Sequence, residues 1–176
     1  PWAFGRTEGG FARVDRPFKN GDVVHVTFGC RIEAPEFAGQ GRYVERGPLL
    51  YAYSIPTRNT QDTVTYANIH GRVSANPDFK CWSKVPSGAW NYALKDPKAD
   101  DWKLERVDTG DAYPWDEPCM KIRVPVVKVK GWQLEEGRYT PDNPALPFEW
   151  DPEVERIELV PYGTTCLRLT VFPVAI

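Results

Sequence analysis

The sequence predicts an all-β fold, an antiparallel β-sandwich or jelly-roll-like arrangement of about ten strands. Three observations lead there. Apolar residues recur with period two in nearly every strongly patterned segment, as in strands with one covered face. No window of a dozen residues carries a 3.6-residue apolar stripe. Seventeen prolines among 176 residues oppose long helices, and turn signals separate the patterned runs at short spacing.

Each element follows from its own pattern. Asp22 to Ile32 places Val24, Val26 and Phe28 on one strand face and His25 and Thr27 on the other, just after the turn signal Asn20-Gly21-Asp22. Leu49 to Ile55 is denser, as expected for a strand covered on both sides. Phe79 to Val85 and Ala89 to Lys95 read as two aromatic strands joined through Pro86-Ser87-Gly88. In the second of these, Trp90 and Tyr92 alternate onto one face and one environment, with Asn91 opposite. Trp102, Leu104 and Arg106 alternate against Lys103, Glu105 and Val107. Met120, Ile122, Val124 and Val126 share a face against Lys121 and Arg123, and Pro125 belongs at an edge or bulge. Ile157 and Leu159 oppose Arg156 and Glu158; Leu167, Leu169 and Val171 oppose Arg168 and Thr170. Gly39-Gln40-Gly41 reads as a turn, and Pro141 to Pro152 as a proline-rich crossing loop. With no internal repeat or linker, residues 1–176 read as a single domain.

Composition bounds the function. A chain of this length buries roughly 70% of its unfolded surface and needs no staples. Hydrophobic residues make up 41% and charged residues 26%, with seven Trp, eight Tyr and eight Phe; this is not a disordered composition. The net charge of −2 and the lack of any Lys/Arg run give no field for nucleic acid. No apolar stretch approaches the length of about 20 residues that spans a bilayer. Cys30, Cys81, Cys119 and Cys166 are far apart without a C-x-x-C pair, so they read as buried free thiols before disulfides or zinc ligands.

Several separated pieces carry a resemblance. Arg46-Gly47-Pro48-Leu49-Leu50-Tyr51-Ala52, Ser87-Gly88-Ala89-Trp90-Asn91-Tyr92-Ala93-Leu94, Pro114-Trp115, Pro125-Val126 with Trp132, and Leu146-Pro147 occur in that order. They end in Ile157-Glu158-Leu159-Val160-Pro161-Tyr162-Gly163-Thr164-Thr165-Cys166-Leu167-Arg168-Leu169-Thr170-Val171-Phe172-Pro173. This set resembles the C-terminal β-sandwich of bacterial β-L-arabinofuranosidase-like glycoside hydrolases, over roughly residues 10–173. Thr164 stands where that family often has Cys, Ala89 where Pro is common, and Val171 where an acidic residue is common, as in a divergent subfamily. The resemblance implies a helical (α/α) barrel ahead of the sandwich, holding a cysteine nucleophile near zinc. The chain begins at Pro1 and its only Met is Met120, so it is read as a fragment without that barrel. No catalytic residue and no cofactor are therefore expected in it. The compartment stays open.

The remaining candidates are weighed against plainer roles. Glycoside hydrolysis needs two facing carboxyl groups, but Asp100-Asp101 and Glu135-Glu136 read as solvated loop residues. His25 and His70 suggest no triad. Asp108-Thr109-Gly110-Asp111 reads as a turn before a calcium loop. The aromatic group Trp82, Trp90, Tyr92, Trp102, Tyr113, Trp115, Trp132 and Trp150 could fill the core, dock a domain or stack on sugar. Trp82, Trp90, Asn91, Tyr92, Trp115 and Trp132 are the candidates for docking or binding. Pro161, Tyr162 and Gly163 are expected to form a structural corner, with the Tyr162 ring buried and Gly163 at an angle a side chain would resist. The expected role is a non-catalytic domain packed on the barrel of its parent chain. A carbohydrate-binding module and an independent small enzyme are the alternatives. A homo-oligomer is a further possible partner; nucleic acid and membrane are not expected.

Overall fold

The computed structural model describes residues 11, 14, 16–62, 81–135 and 140–176, with only the backbone described at Asp62 and Cys81. Among these residues the fold is all-β. The strands are β1 (Ile32–Glu33), β2 (Val44–Arg46), β3 (Leu49–Ser54), β4 (Thr57–Asp62), β5 (Cys81–Pro86), β6 (Tyr92–Lys95), β7 (Leu104–Arg106), β8 (Met120–Lys128), β9 (Glu155–Pro161), β10 (Arg168–Leu169) and β11 (Val174–Ala175). Two three-residue 3₁₀ turns, Ala99–Asp101 and Tyr162–Thr164, are the helical elements.

Nine strands form one curled sheet, and β4 and β5 form a separate hairpin. The spine is β3-β9-β8. On its other edge, β3 takes β2 and then β10. On its other edge, β8 takes β7 at Met120–Ile122 and β6 at Val126–Lys128. Pro125 lies in the gap between them, where a residue without an N–H is best tolerated. After β10 the chain crosses the opening of the curl. Phe172 and Arg42 exchange two backbone hydrogen bonds of 2.8 Å. Leu94 N then donates to Pro173 O at 2.8 Å, and β11 lies alongside β6. This crossing segment ties the two ends of the sheet together. The β6–β11 pair is parallel, so the expected wholly antiparallel arrangement is corrected to a mixed one. A segment that must span the opening can arrive at β6 in one direction only.

The period-two pattern explains the core. Val44, Tyr51, Leu94, Ile122, Val124, Val126, Leu159 and Phe172 are fully buried and belong to one inner cluster. Each contributes roughly 1.5–3 kcal/mol by burial. A second cluster covers the opposite face of β6 and β8, where Ala93, Val127, Val129 and Ala175 lie under Trp132, with Trp90, Phe148 and Trp150 against them. The proline-rich loop thus acts as a cover, pinned where Trp132 Nε1 donates to Asp142 O at 2.9 Å. Elsewhere the outer face is ionic. Glu158 accepts from Lys121 Nζ at 2.9 Å and Arg123 Nη2 at 3.0 Å.

Several expectations are corrected. Residues 22–31 run without turn or bend but form no strand; only Ile32–Glu33 pairs. β5 and β6 are not hairpin partners: β5 pairs with β4, and β6 with β8 and β11. Trp90 and Tyr92 do not share an environment. Tyr92 N donates to Trp90 O at 2.9 Å, a tight turn that breaks the alternation, so Trp90 joins the outer cluster and Tyr92 the inner one. Cys30 and Cys119 are half-buried and Cys166 is exposed, all as free thiols. His70, Glu136 and the start of Phe79–Val85 lie outside the described residues.

The Pro161-Tyr162-Gly163 corner does join two strands, but not as expected. Tyr162 remains 44% exposed, with the Arg168 guanidinium 3.8 Å above its ring. The turn is held by Thr164 Oγ1 and Thr165 Oγ1, which donate to Pro161 O and Tyr162 O at 2.8 Å. Gly163 has no positive φ, and a Cβ there would meet nothing within 4 Å. Gly163→Val should therefore shift stability by no more than about 0.5 kcal/mol, as exposed surface changes do. Thermal melts of the two proteins should overlay; a clearly lower melting temperature would show hidden strain.

Candidate functional site

The six candidate residues separate into covered and bare groups. Tyr92 is buried in the inner cluster, and Trp132 is buried in the outer one. Trp90 packs edge-on against Trp132, with ring centroids 5.0 Å apart. Asn91 Nδ2 donates to Val129 O at 2.6 Å, and Asn91 O accepts from Val129 N. These four hold β6 to β8 and to its cover; Tyr92 and Trp132 are buried, and Trp90 and Asn91 half-buried. Trp82, on β5, and Trp115, in the β7–β8 loop, are exposed.

Trp115 has a partner that its position in sequence did not identify. Tyr113 and Trp115 stack with centroids 4.9 Å apart and planes 8° from parallel, each 62% exposed. Tyr113 O accepts from both Asp116 N and Glu117 N, so the loop curls tightly around Pro114. The preceding turn is closed by Gly110 N donating to the Asp108 carboxylate at 3.0 Å, with Gly110 at φ 56°. A turn was expected of Asp108–Asp111, and a turn forms there.

The inner face ends in a polar group. Tyr92 Oη donates to Glu155 Oε2 at 3.1 Å, and Lys128 Nζ lies 2.5 Å from Glu155 Oε1. Tyr53 meets Tyr92 edge-on at 5.5 Å and donates to Ala89 O. The hydrogen bond from Lys128, with a second from Tyr92, holds the Glu155 carboxyl below its usual range. Burial, then the Glu155 contact, pushes the Tyr92 phenol well above its usual value. A carboxylate this well satisfied is a poor proton acceptor, and a phenol so raised is a poor acid near neutrality. The group caps the core. Glu158 is likewise held low by Lys121, then Arg123.

An open cleft of about 960 Å³ lies at the crossing segment. Gln40, Arg42, Lys95, Asp142, Asn143 and Phe148 are among its walls. Asn143 Nδ2 donates to Gln40 O at 2.7 Å, tying one rim to the other. None of the six candidate residues lines it. Apart from Lys95 at the end of β6 and Val174 and Ala175 of β11, it is built from loops, which carry no periodic signal in sequence. Among the described residues no three His, Cys, Asp or Glu side chains are grouped to hold a metal, and no helix is long and apolar enough to cross a membrane.

Among the described residues the chain is thus all-β, with Trp90, Trp132 and Trp150 packed in the outer cluster, Trp82 and the Tyr113–Trp115 pair exposed, and an open cleft at the crossing segment. Comparison with protein-family models, with curated proteins and with solved structures gives no match.

Proposed function

We propose that this chain is a non-catalytic accessory β-domain of a glycoside hydrolase, packing against and supporting a catalytic (α/α) barrel. The ordered segments from Arg46 to Pro173 that resemble such enzymes supply the class. The hairpin β4–β5 is the observation that carries the packing role. Its strands pair only with each other among the described residues, and most of its side chains, Trp82 among them, are exposed. An isolated two-stranded hairpin is marginal in water, so a covering partner accounts for it. The titratable groups of the inner face and the β8–β9 ladder are engaged with one another, in keeping with a supporting role. Hydrogen exchange tests this. Amides of β4 and β5 should exchange rapidly in the 176-residue chain and be protected in the parent polypeptide. Equal exchange in both would refute the packing role.

A second reading, a carbohydrate-binding module, is favoured by the stacked Tyr113–Trp115 pair, since flat exposed rings suit sugar faces. Calorimetric titration with arabinose, galactose and xylan oligomers separates the two. Saturable binding lost in Trp115→Ala would favour the module.

A further inference from the structure

We infer that the cleft at the crossing segment is a binding site for a neutral oligosaccharide. Its volume of about 960 Å³ lies at the upper end of the roughly 300–1,000 Å³ usual for ligand sites. It is held open by bonded walls: Arg42 is bridged to Phe172, and Asn143 Nδ2 is tied to Gln40 O across the rim. The inference goes beyond both readings above. The first needs no ligand, and the second places sugar on the Tyr113–Trp115 pair, which does not line the cleft.

The occupant follows from what the walls require. Arg42 and Lys95 present donors, whereas Glu36, Asp96 and Asp142 present acceptors. Among the described residues none of these charged side chains has an ion-pair partner. Arg42 is nonetheless fixed, because its Nη1 donates to Ala34 O at 2.7 Å. Lys95 Nζ stands 5.2 Å from the centre of the Trp150 ring. A wholly apolar ligand would strip water from these charges and give them no partner. With both signs present, neither an anion nor a cation is singled out. A ligand that answers both kinds of group must donate and accept at once, as every sugar hydroxyl does. A peptide backbone also does so, but it finds little ladder to join here. Pro97, Pro144 and Pro173 have no N–H, Gln40 N donates to Phe37 O, and Gln40 O is taken by Asn143. The same prolines and the half-buried Phe148 ring supply apolar wall, which suits the C–H faces of sugar rings.

The test is to titrate the 176-residue chain with arabinan, galactan and xylan oligosaccharides, followed by amide chemical shifts and by calorimetry. That choice of chains rests on the glycoside hydrolase reading; the site does not, and exchange of the β4–β5 amides reports on the packing role separately. Saturable binding is expected, with the largest shifts at residues 40–42, 95, 96, 142 and 143. Glu36→Ala and Asp142→Ala should each raise Kd by roughly threefold or more. Both should leave the melt unchanged, because these residues are exposed and their carboxylates accept no hydrogen bond from the described residues. Trp115→Ala should leave Kd as it was. A blocked peptide of alternating Val and Thr should not move the cleft amides. No saturation by any of these oligosaccharides, binding lost in Trp115→Ala, binding indifferent to both cleft variants, or a peptide that shifts the cleft amides more than any sugar would each overturn the inference.

Discussion

Phe172→Ala is expected to lower stability by about 3–5 kcal/mol. Phe172 is fully buried in the inner cluster, and its backbone is half of the Arg42 bridge that closes the curl. Removing the ring leaves a void bounded by the sheet. Those walls are held by ladders on both sides, so they cannot collapse inward to refill it. The loss falls on the segment that spans the opening. Urea denaturation followed by tryptophan fluorescence measures it. A midpoint within error of the parent protein would show that Phe172 is not part of a rigid core.

Gly41→Ala should cost roughly 3 kcal/mol by a different route. Gly41 sits at φ 145°, where side chains are rarely accommodated. A Cβ there would press on the Phe172 carbonyl, with the carbonyl carbon only 2.9 Å away, and would lie 3.2 Å from Asn143 Nδ2. The obstacle is backbone already bonded to Arg42, so it cannot swing aside. By contrast, Gly39, two residues earlier, has φ 71° with nothing within 4 Å of an added Cβ. Gly39→Ala should therefore be clearly milder. Equal losses in the two variants would assign the effect to φ alone rather than to the approach of the crossing segment.

The strands that could be read from sequence are those whose alternation meets a partner. β8 and β9 were legible because Ile122, Val124, Ile157 and Leu159 all point to one core, and hydrophobic burial leaves its mark in every second residue. Asp22–Ile32 carries an equally clear alternation, yet residues 22–31 form no strand and only Ile32 at its end pairs, because alternation reports a capacity to pair and not the presence of a neighbour. β4, reading Thr-Arg-Asn-Thr-Gln-Asp, has no apolar face to find. Parity alone sets Trp90 and Tyr92 on one face, and the tight turn between them cancels it. For the candidate surfaces, residue type was not enough. A tryptophan such as Trp132 under a loop and one such as Trp115 on a loop tip have the same sequence signature. The cleft draws on turns at residues 39–42, 95–97 and 142–148, whose meeting depends on tertiary closure. Gly163 looked like a strained corner from its neighbours, while the strained glycine of the closure, Gly41, lay in an ordinary-looking turn.

The crossing segment also bears on how quickly this molecule can form. Arg42 meets Phe172, and Leu94 meets Pro173, so the final pairings join residues very distant along the chain. Each such meeting carries a loop-closure cost before any burial offsets it, which places the domain among slow-folding topologies of high contact order. Until the segment docks, the inner apolar faces of β3, β6 and β8 would stand open to solvent. That opened sheet is the species most exposed to aggregation.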